Sequence, residues 1–170
     1  MGNSVMRDPY LKLINGFNKA GIRYVVVGVS GINYYVRDAS RLIITGDYDM
    51  FIYPEVKNVL SAVRELKKQG FILSMSGRAM PLRAVKKVVS LRKTIHAANH
   101  YGCVVELLLD ISGYTFEDIE SDARFFRASG VRVKVGNLDK LLNSKRIADR
   151  PKDRLFLKRR LLDDVFPEGT

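Results

Sequence analysis

Two aspartates stand two residues apart in a segment that otherwise has the composition of a buried strand. Asp47 and Asp49 lie within residues 44–53, which read ITGDYDMFIY. A β-strand directs residues i and i+2 to the same face, so both carboxylates would point the same way, about 7 Å apart along the backbone. Like charges at that spacing are unfavourable unless water, a cation or basic side chains surround them. The pair therefore predicts either a cation site or a strand that begins on a solvated rim, after a turn at Thr45-Gly46.

A third acid lies in an apolar run further along the chain. Glu106 interrupts residues 103–111, CVVELLLDI, a run that is typical of a buried strand. A carboxylate in such a strand is costly unless it is paired or bound to a metal. Glu106 is therefore expected either to join the two aspartates at a metal site or to form a salt bridge with an arginine. Asp110, on the same strand face, would lie roughly 13 Å further along, too far to share that ion.

A glycine-containing turn follows the first β-branched run. Residues 22–28 read IRYVVVG, and Gly28, Ser30 and Gly31 then precede a short helix expected from Gly31 to Val36. Glycines let a phosphate approach the backbone, and a helix N-terminus offers unpaired N–H donors. The turn therefore predicts either a phosphate-binding loop or a tight strand-to-helix connection. It is neither a Walker A loop nor a dinucleotide fingerprint, because the lysine and the spacing of those motifs are missing.

Basic residues are concentrated where two C-terminal helices are expected to meet. Residues 143–154 read NSKRIADRPKDR and include Lys145, Arg150 and Lys152. Lysine and arginine side chains at helix termini can hold a triphosphate, or they can form a solvated basic face. If the cluster binds phosphate, we favour Lys145 and Arg150 over the arginine pair at 159–160, because they flank the helix junction.

The composition is that of one soluble globular domain. The chain has 170 residues, of which 46% are hydrophobic and 28% charged. This length is enough to bury a core, and the hydrophobic fraction is too high for a disordered chain. Its single cysteine, Cys103, excludes an internal disulfide and favours a reducing compartment. No apolar run reaches membrane-spanning length, and the N-terminus carries no apolar signal region. We therefore expect a cytoplasmic protein without a membrane partner.

The formal net charge of +11 is unevenly distributed along the chain. Residues 66–105 contain eight lysines or arginines and no acid, and residues 106–123 contain six acids and no base. Residues 140–160 contain nine bases and two acids. Such blocks are either solvated faces or surfaces that meet an anionic partner, such as a nucleotide, a nucleic acid or an acidic protein.

Hydrophobic periodicity predicts alternating helices and strands. Residues 78–102 fit either two strands or a helix and a strand. The pattern as a whole predicts one α/β (α+β) domain over residues 1–170, with a core at about 9–135 and a C-terminal helical part at about 137–164 packed at one end. The expected helices cover about 9–21, 31–36, 54–70, 115–122, 137–147 and 151 onwards, and the expected strands about 22–28, 46–53, 71–75, 103–111 and 131–135.

The order of these motifs resembles the nucleotidyltransferase superfamily of DNA polymerase β and the aminoglycoside nucleotidyltransferases. More narrowly, it is similar to the bacterial and archaeal nucleotidyltransferase-like proteins that include abortive-infection and toxin–antitoxin toxins. Their pattern is a vvGG turn, then R-x-T-x-D-x-D, then I-D-L-L seven residues before a glycine, then a tail L-x-x-x-K-x-x-x-x-R-P-K-D. The matching positions here are Gly28, Thr45 to Asp49, Val105 to Leu108 with Gly113, Leu141, Lys145 and Arg150 to Asp153.

Three positions depart from that pattern. Val29 replaces the second glycine of the turn, and Glu106 stands where the family has an aspartate. The arginine that would precede the threonine, Arg41, lies two residues too far from it. The extra methylene of Glu106 would move a bound metal by about one bond length, which Mg²⁺ geometry tolerates poorly.

The resemblance implies a mixed β-sheet flanked by helices and an activity that transfers NMP from an NTP to a hydroxyl acceptor, such as RNA or a tRNA 3′ end. It implies two Mg²⁺ ions, bridged by Asp47 and Asp49, with Glu106 holding the ion that activates the acceptor. An antitoxin protein is an expected partner. The triphosphate would rest on the glycine turn, with the Ser30 hydroxyl donating to it. The expected nucleotide-binding residues are Gly28, Ser30, Gly31, Thr45, Lys145, Arg150 and Lys152.

Two other functions remain open. The three departures favour a catalytically degenerate nucleotidyltransferase fold that binds RNA or a protein partner. A two-metal nuclease uses similar carboxylates but would not need the glycine turn.

Two further groups of residues were considered as sites. The spacing of His96, His100 and Cys103 is compatible with zinc, but it crosses an expected turn and lacks a fourth ligand. The tyrosines at 34, 35 and 48 either line the nucleotide pocket or pack in the core, and we expect packing.

Overall fold

The protein is described here by a computed structural model that covers residues 8–43 and 45–163. Its helices are α1 (Pro9–Lys19), α2 (Gly28–Asn33), α3 (Val56–Lys68), α4 (Val85–Ser90), α5 (Phe116–Ser121), α6 (Leu138–Ala148) and α7 (Pro151–Asp163). Its strands are β1 (Tyr24–Val27), β2 (Tyr48–Ile52), β3 (Ile72–Met75), β4 (Arg78–Ala79), β5 (Ile95–Ala98), β6 (Val104–Leu108), β7 (Arg124–Ala128) and β8 (Val131–Val135). Two 3₁₀ turns occur at Ala39–Arg41 and Leu82–Ala84.

The eight strands form one mixed sheet in the order β4-β3-β5-β6-β2-β1-β8-β7. The pairs β2–β6 and β1–β8 are parallel, and the other neighbours are antiparallel. This confirms the expected mixed α/β architecture. It also places β2 and β6, which carry Asp49 and Glu106, side by side near the middle of the sheet.

Helices cover both faces of the sheet around β2. Tyr48 points to one face and stacks on Tyr10 of α1, with ring centroids 4.8 Å apart. Phe51 points to the other face and meets Phe116 of α5 at 5.3 Å. Because successive strand residues alternate between faces, Asp49 shares the second face with Phe51. The candidate carboxylates therefore lie on the α5 face of the sheet.

Short polar signals begin three of the described helices. The Asp8 carboxylate accepts a hydrogen bond from Tyr10 N at 2.8 Å, and Pro9 occupies the first helical position. Thr115 and Asp118 form a capping box at the start of α5. Asn137 accepts from Asp139 N at 3.0 Å at the start of α6. These caps confirm the helix starts that the sequence predicts.

Three parts of the chain differ from the prediction or decide what it left open. Helix α2 begins at Gly28, three residues earlier than expected. Residues 78–102 contain helix α4 and strand β5, so the alternative of a helix and a strand is the one observed, with the short strand β4 in addition. Strand β7 was not predicted, because its sequence RFFRA lacks clear alternation and it is held by the hairpin with β8. The expected end of the C-terminal part, residue 164, lies outside the described residues.

Within the described residues, no helix has both the length and the apolar composition needed to cross a bilayer.

Candidate active site

Asp49 and Glu106 are neighbours across two parallel strands. Asp49 on β2 is the register partner of Glu106 on β6, and on its other side it lies opposite Val27 of β1. Register partners on adjacent strands point to the same face of a sheet. The tertiary structure therefore brings two acids that are 57 positions apart in sequence onto one surface.

Gly28 makes room for the Asp49 carboxylate. Its φ of +64° lies in the left-handed region, and a Cβ placed on it would collide with Asp49 Oδ2. A side chain at this position would therefore be disfavoured twice, by backbone conformation and by contact. The glycine is needed for close approach, as expected, but the group that approaches it in this structure is a carboxylate of the site itself.

Ser30 has a structural role that differs from the expected one. Its side chain is only 5% exposed, its hydroxyl donates to Val27 O at 2.9 Å, and its oxygen accepts from Asp49 N at 2.9 Å. The hydroxyl proton is thus used by a backbone carbonyl, and donation by Ser30 to a triphosphate would require this hydrogen bond to break. Ser30 instead ties the turn after β1 to the backbone of Asp49.

Gly31 allows close packing. A Cβ at this position would lie 2.9 Å from Val26 O and 3.1 Å from Leu141 Cδ1. The residue is buried where α2 meets β1 and α6. A glycine is therefore needed here for packing, whether or not a phosphate binds at the turn.

Thr45 shapes the turn that carries Asp47. The Thr45 hydroxyl donates to Asp47 O at 3.0 Å and accepts from Asp47 N at 3.3 Å. Asp47 itself is exposed and lies one residue before β2 begins, so it is not part of the strand. Both residues still line the same cleft as Asp49.

The Asp49 carboxylate is in an electrostatically unfavourable position. Burial, followed by the negative charges of Asp47 and Glu106, raises the pKa of Asp49 to about 6. Lys145 and Lys152 act in the opposite direction from across the cleft. An acid whose ionised form is disfavoured by desolvation and by like charges is a feature of functional sites, and a bound cation would relieve it.

Glu106 is paired with a histidine. His96 Nδ1 lies 2.8 Å from Glu106 Oε1, and the two residues are register partners on β5 and β6. Among the described residues this histidine takes the place of the arginine that was one expected partner, and the metal alternative stays open. The His100 ring lies against the Tyr101 ring at an angle of 37°, with centroids 4.0 Å apart.

The acids were tested for their fit to Mg²⁺. Across residues 8–43 and 45–163, no three His, Cys, Asp or Glu side chains are placed to share one metal ion, and this includes the considered zinc ligands. Mg²⁺ is commonly held by one or two carboxylates, with waters and substrate phosphates completing its coordination. Asp49 and Glu106 provide two hard-oxygen donors of that kind on one cleft wall. The donor chemistry therefore fits a magnesium ion, whereas a closed three-acid cluster is not formed.

A buried aspartate organises the basic side of the cleft. The Asp153 side chain is 1% exposed and receives hydrogen bonds from Arg150 Nε at 2.6 Å, Arg150 Nη2 at 3.2 Å and Lys145 Nζ at 3.3 Å. Burial alone would raise the pKa of Asp153, but the Arg150 hydrogen bond and the Lys145 charge hold that pKa below its ordinary value. Lys145 and Arg150 are therefore positioned by a fixed anion on α7.

The acidic and basic groups line one open cleft of about 810 Å³. Lys152 lines it too, and within the described residues its ammonium group makes no hydrogen bond or ion pair. Arg159 lines the cleft as well, which the preference for Lys145 and Arg150 did not anticipate. Asp110 reaches the same cleft from beyond the end of β6. The cleft has an acidic floor on the sheet and a basic wall on α6 and α7.

The three tyrosines have packing roles, as expected. The hydroxyls of Tyr34 and Tyr48 lie 2.7 Å apart, and the Tyr35 hydroxyl donates to Gly136 O at 2.7 Å. None of the three lines the cleft.

Two residues of the site were missed by sequence reasoning. Asp153 was matched to the family tail and counted as a charge of the basic segment, but its contact with Arg150, three residues earlier, was not predicted. His96 gave no usable signal, because its contact with Glu106 depends on strand register.

No known family model matches the chain, and no curated protein matches it either.

Proposed function

We propose that this protein has a polymerase-β-like nucleotidyltransferase fold and is a Mg²⁺-dependent nucleotidyltransferase, which transfers NMP from an NTP to a hydroxyl acceptor. The observation that carries the proposal is the pairing of Asp49 with Glu106 on parallel strands, opposite Lys145 and Lys152 in one cleft. This arrangement places hard-oxygen donors and fixed cations within reach of a single polyphosphate. An RNA acceptor, an antitoxin partner and a cytoplasmic location are parts of the same proposal.

The acidic floor would hold the metal. Asp49 and Glu106 would hold Mg²⁺, and Asp47 would contribute from the turn before β2 without sharing one ion with both of them. The chemistry of the bound metal is to stabilise charge on the attacking hydroxyl and on the leaving pyrophosphate. Gly28 keeps the Asp49 carboxylate close to the backbone of the turn. The raised pKa of Asp49 supports this role, because a buried acid beside two others gains more from a cation than an exposed one does.

The basic wall would bind the triphosphate. Lys145 and Arg150 are held by Asp153, so their charges are already oriented before a nucleotide arrives. Preorganised charges stabilise a transition state without a reorganisation cost during the reaction. Lys152 adds a cation that has no competing acid among the described residues.

The proposal is tested by replacing one carboxylate and measuring transfer. Asp47→Asn should abolish the transfer of labelled NMP from NTP to RNA while leaving the circular dichroism spectrum unchanged. Asp139→Asn, which removes an exposed acid at the start of α6 outside the cleft, is the matched control and should retain transfer. Wild-type transfer by Asp47→Asn would overturn the assignment.

A second candidate is a catalytically inactive module with the same fold that binds RNA or a protein. The observation that favours it is the hydrogen bond between His96 and Glu106, which occupies one oxygen of the third acid. Calorimetry with NTP and Mg²⁺ separates the two functions. Metal-dependent NTP binding that is lost in Asp49→Ala supports the enzyme, whereas salt-sensitive RNA binding indifferent to metal and to that substitution supports the module.

A further inference from the structure

A row of four polar residues crosses four neighbouring strands of the sheet. Ser74 on β3 is the register partner of His96 on β5, His96 of Glu106 on β6, and Glu106 of Asp49 on β2. Register partners point to the same face, so the row forms one continuous polar strip across the sheet. Asp49 is at one end of the strip, in the cleft described above.

The other end of the strip opens into a second cleft of about 720 Å³. Its polar lining includes Ser74, Ser76, Arg92 and Lys93, and it shares Thr94 and Glu106 with the first cleft. The two clefts therefore meet at one carboxylate. A transfer reaction between two substrates needs such a meeting point, because the reacting atoms must come within about 3–3.5 Å of each other.

Arg92 and Lys93 are set in this second cleft by the C-terminus of α4. Lys93 N donates to Val88 O and Arg92 N to Val89 O, both at 3.1 Å, which is the hydrogen-bond pattern of a Schellman motif. Arg92 has a φ of +52° at the position that glycine usually occupies in this motif. A cation is thus kept at a place where the backbone favours glycine, and such outliers concentrate at functional sites.

The positive charges of the second cleft favour the binding of an anion. Both Arg92 and Lys93 are exposed, and within the described residues neither side chain makes an ion pair with an acid. Ser74 on β3 and Ser76 in the turn that joins β3 to β4 line the same cleft. Two cations and two hydroxyl groups around one cleft suit phosphate oxygens.

We propose that the second cleft binds the acceptor substrate, and that this acceptor is an alcohol that carries a phosphate. The inference rests on the proposed transferase function. The acceptor hydroxyl would lie near Glu106 while its phosphate contacts Arg92 and Lys93. An RNA strand with a free 3′ hydroxyl and a small phosphorylated alcohol share this chemistry.

The reaction balances without a further reactant. The acceptor oxygen forms a bond to the α-phosphorus of the NTP, and the bond from that phosphorus to the bridging oxygen of pyrophosphate breaks. Pyrophosphate leaves with the bonding electrons, and the hydroxyl proton is released to water.

The test measures acceptor binding directly and separately from transfer. The variants are Arg92→Gly and Lys93→Ala, with Arg64→Ala as the control that removes an exposed cation of α3 outside both clefts. The probes are a fluorescent RNA oligonucleotide with a free 3′ hydroxyl and, as competitor, glycerol 3-phosphate. Affinity for NTP and Mg²⁺ is measured on each variant by calorimetry.

We expect Arg92→Gly and Lys93→Ala each to weaken RNA binding about tenfold more than Arg64→Ala does, in line with the loss of one charge-assisted contact. NTP affinity should stay at its wild-type value. Because glycine suits the left-handed position, Arg92→Gly should melt at or above the wild-type temperature, so a binding loss is not unfolding. Displacement of RNA by glycerol 3-phosphate at lower concentrations than inorganic phosphate would identify a small phosphorylated alcohol as the acceptor, and equal displacement would identify RNA.

Two results would overturn the assignment of this cleft, both with an unchanged affinity for glycerol 3-phosphate. In one, RNA binding falls equally in all three variants. In the other, it falls in none of them. Failure of the proposed function gives a different result. In that case the wild-type protein shows no NMP transfer, while the selective loss of acceptor binding in Arg92→Gly is still observed.

Discussion

The Asp49 carboxylate lies directly against Gly28, so that a single added methyl group at the glycine would collide with Asp49 Oδ2. The turn after β1 and the acid on β2 are therefore complementary in shape. A substitution in the turn should therefore displace the carboxylate and weaken the binding of any group that the carboxylate holds.

Gly28→Ala should destabilise the protein and displace Asp49. The left-handed φ of +64° costs an alanine about 1–2 kcal/mol, and the collision adds to that. Gly21→Ala is a matched control, because Gly21 has a φ of +67° and no heavy atom near an added Cβ. Urea unfolding should show a larger loss for Gly28→Ala, and calorimetry should show weaker NTP–Mg²⁺ binding in that variant alone. Equal losses of stability and intact nucleotide binding would show that the two residues are not coupled.

Asp49→Asn should stabilise the metal-free protein at neutral pH. The folded-state pKa of Asp49 is raised to about 6 by burial and by the charges of Asp47 and Glu106, so the folded state binds this proton more tightly than the unfolded chain does. Wild-type stability therefore falls as pH rises from about 4 to about 6, and the asparagine variant avoids that loss. We expect a gain of about 3 kcal/mol above pH 6 and little difference below pH 4.

Urea unfolding of the two proteins in EDTA, measured at several pH values, checks this expectation. A constant difference between wild type and Asp49→Asn across the whole pH range would show that the substitution acts through something other than titration of this carboxyl.

Asp153→Asn should loosen the junction between α6 and α7. Removing one partner of a buried ion pair leaves the other charge uncompensated, and we expect a loss of about 3 kcal/mol at neutral pH. Since the pKa of Asp153 is held below its ordinary value, its contribution is present above about pH 4 and disappears as pH falls through the folded-state pKa. The difference between the variant and the wild type should therefore vanish in acid.

Asp149→Asn is the control for Asp153→Asn. Its ion pair with Arg154 is exposed on both sides, and asparagine tolerates the left-handed φ of +47° at this position. It should change the free energy of unfolding by less than about 0.5 kcal/mol. A comparable loss in the two variants would remove the special role given to Asp153.

Lys145→Ala should slow the chemical step of nucleotidyl transfer. If Lys145 neutralises charge that moves to pyrophosphate in the transition state, its removal lowers kcat by roughly ten- to a thousandfold. The neighbouring Arg146 is exposed and does not line the cleft, so Arg146→Ala is the matched control and should keep near-wild-type turnover. Unchanged kcat in Lys145→Ala would show that the lysine does not stabilise the transition state. Its role would then be limited to the ion pair with Asp153.

The starts of helices were readable from the sequence because capping is a local interaction. Asp8, Thr115 and Asn137 each bond to a backbone N–H two or three residues away, so the residue type and its short spacing suffice to predict them. Strand β7 shows the opposite case. Its exposed residues carry little apolar alternation, and it exists as a strand because β8 pairs with it along five residues.

The glycine turn makes contacts that its local motif does not predict. Gly28, Ser30 and Gly31 were assigned together to phosphate binding, since small residues between a strand and a helix are compatible with that use. In the structure the Ser30 side chain hydrogen-bonds to Val27 O of β1 and to Asp49 N of β2, and Gly31 packs against Leu141 of α6. Their partners come from β2 and α6, which no spacing within the turn reveals.

The carboxylates and the bases of the candidate site could be predicted from the sequence, because acids in apolar strand segments and bases at a helix junction are local departures from pattern. Which of these groups meet depends on the packing of the whole fold. Strand register set Asp49 beside Glu106 and Glu106 beside His96, and burial of Asp153 set the positions of Lys145 and Arg150. The physical reason is that register and helix packing are settled by the burial of the whole apolar core, which links residues far apart in the chain.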